Sequence, residues 1–168
     1  DINFVNTIIG DKAGNLWIAT NAALFKFDTK SNEYKRYHIP QNKLPKQSEK
    51  RDKLAYKALY LADNHILWIG TNKGLHKVNL KHITSPLLNP ISYFHQAGDE
   101  ESISSNMINT IVEDNEGILW IGTEKGGLNR FNPKTGIFQE YKHDAARRKS
   151  LSTNHVLTIY QDRSDILW

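Results

Sequence analysis

The stretch NTIVEDNEGILWIGTEKGGLNRFN, residues 109–132, decides the fold, because its main features recur along the chain. The sequence has four tryptophans, and each follows a leucine: Trp17, Trp68, Trp120 and Trp168. The first three begin the motif Leu-Trp-Ile-(Ala or Gly)-Thr, and the spacing between tryptophans is about fifty residues. A fixed period of this size indicates a repeat architecture.

Each unit contains four short runs rich in β-branched and aromatic residues. Turn sequences separate the runs, as at Asp11–Asn15, Asp114–Gly117 and Asn132–Gly136. Such runs are typical of strands, and such turns are typical of tight hairpins. Four antiparallel strands in a unit of about 40 to 50 residues are typical of a propeller blade. A β-sandwich with chance similarity between strands is the disfavoured alternative.

The predicted fold is all-β: a partial β-propeller over residues 1–168, with three four-stranded antiparallel blades and part of a fourth. The blades are expected at about 4–39, 54–95 and 107–143, with the partial blade at 155–168. Trp17, Trp68 and Trp120 should be buried where blades meet, since apolar residues occur on both faces of the strands. A ring typically needs four to eight blades. We therefore expect a piece of a longer propeller, or self-association that covers the open blade faces.

An aspartate stands six residues before the tryptophan in three of the units, at Asp11, Asp114 and Asp162. We expect these carboxylates to accept hydrogen bonds from amides of the hairpin that follows. In the second unit the nearest aspartate, Asp63, is five residues before Trp68, which predicts a hairpin one residue shorter. A position that recurs in every unit serves the blade, so these aspartates and the four tryptophans are interpreted as structural.

Composition excludes several classes of function. The chain has 168 residues, a net charge of +4, 39% hydrophobic residues and no cysteine. The absence of cysteine removes disulfides, thiol catalysis and Cys-ligated zinc, and no apolar run is long enough to span a membrane. The charge is too weakly basic to indicate a nucleic-acid partner. The seven histidines lack zinc-site spacing and no nucleophile motif occurs, so we predict no catalytic residue, no metal and no cofactor.

Ligand contacts are expected on loops that differ between blades. In an up-and-down blade, the loop between the second and third strands and the linker to the next blade lie on one face. The linkers span about 40–54, 96–106 and 143–155. The candidates for ligand binding on them are Arg51, Asp99, Glu100, Arg147 and Arg148. The acidic triplet 99–101 and the basic triplet 147–149 occupy corresponding positions. A surface ion-pair network is the favoured interpretation, and recognition of an anionic sugar or a partner is the alternative.

The unit at 109–132 resembles the two-component regulator propeller repeat. The pattern of that family is matched at Asp114, Gly117, Leu119–Thr123 and Gly126–Leu128. The first unit departs from it at Ala19 and Ala23, and the second has His65 in place of the hairpin glycine.

The resemblance implies the periplasmic sensor region of a hybrid two-component system from a glycan-degrading gut bacterium. In that family two seven-bladed propellers precede an immunoglobulin-like domain, a membrane helix, a histidine kinase and often a response regulator. The ligand would be an oligosaccharide, and the output would be control of glycan-utilisation genes. This chain would be non-enzymatic and would meet a membrane only through other parts of its parent. A propeller enzyme of the lyase or lactonase type and a protein-binding scaffold are the alternatives.

Overall fold

The computed structural model describes residues 4–45 and 53–168, and it consists of three four-stranded antiparallel sheets with sequential strand order. The first sheet, blade 1, contains β1 (Val5–Gly10), β2 (Asn15–Thr20), β3 (Leu24–Asp28) and β4 (Glu33–Tyr37). Blade 2 contains β5 (Tyr56–Leu61), β6 (Ile66–Thr71), β7 (Gly74–Asn79) and β8 (Ile91–Tyr93). Blade 3 contains β9 (Ile108–Glu113), β10 (Leu119–Thr123), β11 (Leu128–Asn132) and β12 (Ile137–Tyr141). The only helical turns in the described ranges are two short 3-10 segments, Gln41–Lys43 and Leu80–His82. The all-β propeller prediction is confirmed.

The three blades share one register. Trp17 lies opposite Lys26, Trp68 opposite Lys77 and Trp120 opposite Arg130. The pairing of the second strand with the first is irregular at the same end of each blade. The sequence repeat is therefore a structural repeat, residue for residue, over the second and third strands.

The hydrophobic core lies between blades rather than within one sheet. Trp17 packs in a cluster with Tyr37, Tyr56 and Leu67, which joins blade 1 to blade 2. Trp68 packs in a second cluster with Phe131, which joins blade 2 to blade 3. Trp17 and Trp68 are each only 2% exposed. Burying an indole contributes a few kcal/mol by the area rule of about 25 cal/mol per Å².

Trp120 is less completely buried than the other two tryptophans. The cause lies beside blade 3. Residues 155–168 form no regular strand and make one isolated bridge, Gln161 to Leu167. Trp168, in that segment, is 74% exposed. The burial of the repeat tryptophan thus depends on the outer strands of the following blade.

The second unit departs from its predicted hairpin. The Ala62 amide donates to Ile66 O at 2.9 Å, as the Asp11 amide donates to Asn15 O at 2.8 Å. The hairpin of blade 2 therefore has the same length as that of blade 1, and the prediction of a shorter one is wrong. Ala62 takes the aspartate position, and Asp63 lies one residue further into the turn. His65 takes the left-handed conformation that the turn requires, with a φ of 65°.

Candidate functional site: the linker face

One face of the blades is formed by the loops between the second and third strands together with the linkers between blades; we name it the linker face. The loops are 21–23, 72–74 and 124–127. Direct hydrogen bonds join the two kinds of segment: the Gly74 amide donates to Asn106 O at 2.8 Å, and the Gly127 amide to Asn154 O at 2.9 Å. The opposite face, which carries the hairpins after β1, β5 and β9, is the hairpin face.

Buried threonines close the loops of the linker face. The hydroxyl of Thr20 donates to Ala23 O at 2.8 Å, and those of Thr71 and Thr123 donate to Gly74 O and Gly127 O at 2.9 Å. All three threonines are fully buried. The threonine of the Leu-Trp-Ile-Gly-Thr motif therefore fixes the loop geometry at each blade.

The linkers that follow β8 and β12 share one scaffold. The His95 amide donates to the Asn106 side-chain oxygen at 2.8 Å, and His143 does the same to Asn154 at 2.6 Å. The Nδ1 atoms donate to carbonyls, from His95 to Ile103 O at 2.9 Å and from His143 to Leu151 O at 2.6 Å. A carbonyl can only accept, so this bond defines the tautomer of both rings. The two histidines hold the linkers in shape.

The tips of these two linkers carry opposite charges. Asp99 and Glu100 are exposed on one tip, and Arg147 and Arg148 are exposed on the other. The Arg147 Nε atom lies 3.2 Å from a carboxylate oxygen of Asp144 in its own linker. None of the ion pairs between residues in the described ranges joins the acidic triplet to the basic one, so the expected ion-pair network is absent there. Arg51, the remaining candidate, lies outside the described residues.

Two buried polar side chains on the third strands were missed by the sequence analysis. His76 is fully buried; its Nδ1 is hydrogen bonded to Ser92 Oγ at 2.9 Å, and its Nε2 lies 3.2 Å from Thr71 Oγ1. Burial lowers the pKa of His76 to about 4, so the ring is neutral at pH 7. Asn129, at the same blade position, accepts from the Ser104 amide at 2.9 Å and donates to Ser104 Oγ at 2.8 Å. The sequence signal for His76 and Asn129 was a polar residue at the blade position that Phe25 occupies in blade 1.

On the hairpin face, the repeat aspartates bind their own turns. Asp114 accepts from the amides of Glu116 and Ile118, each at 3.0 Å, and from the Trp120 indole at 2.8 Å. Asp162 makes the corresponding bond to the Trp168 indole at 2.9 Å. That indole bond, followed by the amide bonds of the turn, holds the pKa of Asp162 below its ordinary value.

Asp11 differs, because the Asn15 side chain donates to both of its oxygens, at 3.0 and 2.9 Å. Burial acts to raise the pKa of Asp11, but the hydrogen bonds from Asn15 and Ala13 and the nearby Lys26 outweigh it and lower that pKa.

Residues 4–45 and 53–168 contain no group of three or more histidine, aspartate or glutamate side chains placed to hold a metal ion. Across the same residues, no helix is long and apolar enough to cross a membrane.

Repeated blades with an interblade core and a loop-rich linker face define this chain as part of a β-propeller. Residues 1–22 and 102–125 match the family model described as two component regulator propeller. The two matches fall on corresponding parts of blades 1 and 3. The resemblance seen in the sequence is thereby confirmed.

Solved structures with the same fold include extracellular domains from B. thetaiotaomicron. The extracellular domain of the hybrid two component system BT4673 has 23% identity and a TM-score of 0.74, and the match covers 99% of this chain and 20% of that one. The extracellular domain of the hybrid two component system BT3049 has 23% identity and a TM-score of 0.72, and the match covers 99% of this chain and 22% of that one. Virginiamycin B lyase from Staphylococcus aureus has 12% identity and a TM-score of 0.63, covering 100% and 49%. The chain thus spans about a fifth of the length of the first two. A comparison with curated protein sequences finds no match.

Proposed function

We propose that this chain is part of the ligand-sensing propeller of a hybrid two-component system. The blades lie outside the cytoplasm, in the periplasm, and the parent protein carries the membrane helix and the kinase. The repeat family and the likeness to extracellular domains of two such systems support this proposal. The chain itself is non-enzymatic, and its contribution is to bind a ligand and to pass on the change in propeller geometry.

The observation that carries the proposal is the pair of linkers with one scaffold and opposite tips. The histidine, asparagine and serine bonds that shape each linker are the same in both. The exposed triplets, at 99–101 and 147–149, differ completely in charge. A fixed support with variable tips is the arrangement expected of a recognition surface, because loops on a rigid scaffold can change their contacts without changing the fold. The ligand face is therefore the linker face.

The proposed ligand class is an oligosaccharide, with the arginines of the third linker directed at acidic groups of the sugar. Arg147 and Arg148 are exposed and can offer paired donors to a carboxylate or sulfate group. Binding would control glycan-utilisation genes through the kinase and response regulator of the parent protein.

The test is a binding screen with the intact propeller and an oligosaccharide array, followed by calorimetry on the hits. The double variant Arg147→Ala/Arg148→Ala should weaken binding of an acidic oligosaccharide about tenfold or more, the loss expected for charge-assisted hydrogen bonds. The control is Lys30→Ala/Lys134→Ala, which removes the same charge from turns on the hairpin face and should leave binding unchanged. Equal loss in both variants would contradict the assignment of the linker face.

The alternative of a lyase is distinguished by turnover. The same hits should be recovered chemically intact after long incubation with the protein. Release of unsaturated or cleaved sugar, lost on changing a linker residue, would favour the enzyme over the sensor.

A further inference from the structure

A cleft of about 630 Å³ opens on the hairpin face between blades 1 and 2. Both walls are complete four-stranded blades, so the cleft is not a gap beside the irregular segment 155–168. Its volume lies in the range of small-molecule sites. Its lining includes Trp17, Tyr37, Lys26, Ile83 and Lys81.

Trp17 lines this cleft, and its indole nitrogen is an unused hydrogen-bond donor. It is buried and has no hydrogen-bond partner. The corresponding indole of Trp120 donates to Asp114 at 2.8 Å. A buried donor without an acceptor is costly, so it indicates a group that is supplied from elsewhere.

The sequence explains why Trp17 lacks its aspartate. The residue two before the tryptophan is isoleucine in the other three units, at Ile66, Ile118 and Ile166, and asparagine at Asn15. The Asn15 amide occupies both oxygens of Asp11. Blade 1 therefore lacks a hydrogen bond between Asp11 and Trp17 that would correspond to the bond between Asp114 and Trp120 in blade 3.

The remaining charges at the cleft favour an anion. Asp11 is engaged by Asn15 and its own hairpin, and Asp63 is held by Lys12 at 2.7 Å. Lys26 Nζ lies 3.8 Å from Asp11 and 5.7 Å from the centre of a Trp17 ring. Lys81 forms no ion pair with any residue in the described ranges. The groups that can still bind a ligand are thus the indole N–H of Trp17 and the ammonium groups of Lys26 and Lys81.

We propose that this cleft binds a small organic anion of the carboxylate class. An acceptor oxygen of the ligand takes the hydrogen bond from Trp17 Nε1, and its negative charge lies near Lys26 and Lys81. The body of the ligand packs against Tyr37 and Ile83. The site lies on the face opposite the linker face, so it is separate from the proposed oligosaccharide site.

The test follows the indole N–H resonances of the ¹⁵N-labelled protein by NMR. The probes are sodium acetate, benzoate and glucuronate, with acetamide, benzamide and glucose as their uncharged counterparts. At least one of the anions should shift the Trp17 resonance saturably, while its uncharged counterpart does not. The Trp68 resonance, from an indole buried between blades 2 and 3, should stay in place and report an unchanged fold. No saturable shift with any of the three anions overturns the proposal.

Two variants connect the shift to the cleft. Asn15→Ile restores the residue of the other units and frees Asp11 to accept from Trp17, so binding should weaken at least about tenfold. Lys26→Gln should also weaken binding about tenfold. Its matched control is Lys77→Gln, because Lys77 lies over Trp68 at 5.4 Å as Lys26 lies over Trp17. Unchanged affinity in Lys26→Gln, or equal loss in Lys77→Gln, overturns the proposal even if Asn15→Ile fails to fold.

Discussion

At the scale of the residue, Asp114 shows how one side chain organises a turn and orients a large aromatic ring. One oxygen of Asp114 accepts from two turn amides, and the other accepts from the Trp120 indole. The amide bonds fix the turn, and the indole bond sets the orientation of the large Trp120 ring. Blade 2 has Ala62 at this position and still forms the same hairpin, so the carboxylate contributes stability rather than turn length.

The first prediction is that Asp114→Ala destabilises the protein by about 1–2 kcal/mol, because it removes amide acceptors and the partner of an indole. Urea unfolding at pH 7 measures the change. The matched control is Asp63→Asn, which alters an exposed ion pair to Lys12 and should change stability by less than about 0.5 kcal/mol. Equal effects of the two substitutions would contradict the role given to Asp114.

His76 gives a second prediction, on pH. Its pKa is about 4 in the folded protein against an ordinary value of 6.5. As the pH falls below 6.5, the His76 ring becomes protonated in the unfolded chain but stays neutral in the folded one. The contribution of the neutral ring to the free energy of unfolding is therefore lost between pH 6.5 and 4. The loss should be about 1.4 kcal/mol per pH unit and about 3 kcal/mol in all.

Unfolding of the wild type and of His76→Asn at pH 7, 6 and 5 measures this effect. The variant takes the residue type found at position 129, and it should lose less stability on acidification than the wild type. Parallel pH profiles would show that the ring titrates normally.

The sequence predicted the hairpin aspartates because the residue type and its spacing from Gly and Trp carry that information locally. It could not predict that Trp120 Nε1 would be the third donor, since this depends on the side-chain rotamer. His76 was missed for another reason. Its burial depends on Ser92 and Thr71, which come together only when β7 pairs with its neighbours.

At the scale of the element, each second strand carries the residues that let neighbouring blades approach. A Cβ added to Gly70 would lie 2.5 Å from Cγ2 of Ile108, on the first strand of blade 3. Between blades 2 and 3 the glycine of the Leu-Trp-Ile-Gly-Thr motif is therefore required by the distance between the blades and not by an unusual backbone conformation, whereas blade 1 accommodates Ala19 at the same position.

The third prediction is that Gly70→Ala destabilises the protein by about 1–3 kcal/mol through overpacking at this contact. Thermal and urea unfolding measure the change. Gly10→Ala is the control, because a Cβ there meets nothing within 4 Å and the effect should be small. A neutral Gly70→Ala would mean that blades 2 and 3 can move apart freely.

Strand identity and order were predictable at this scale, because alternating apolar runs and turn residues are local signals. The length of the second hairpin was not. Asp63 suggested a shift of one residue, whereas the structure keeps the common hairpin and lets His65 adopt a positive φ. The register imposed by Leu67 and Trp68, which are buried against neighbouring blades, overrides the local preference of the turn.

At the scale of the whole molecule, the stack of blades has two ends with exposed apolar side chains. Phe4, Val5 and Ile8 are exposed at the end of blade 1, and Leu157 and Trp168 are exposed at the other end. The Trp120 face is partly open for the same reason. Such surfaces are made to pack on further blades, and soluble proteins seldom leave large apolar patches uncovered.

The last prediction is therefore that the 168-residue chain, purified alone, self-associates through these ends. Light scattering over a range of concentrations should give a mass that rises above 19.3 kDa. Replacing Leu157 and Trp168 with serine should lower the association, because it removes apolar area from one end. The matched control replaces Tyr34 and Ile137 with serine; these side chains are also exposed but lie on the fourth strands. The same chain extended at both ends by added propeller blades should stay at its monomer mass, since the added blades would cover the same surfaces. A stable monomer of the isolated chain at high concentration would show that the exposed ends need no cover.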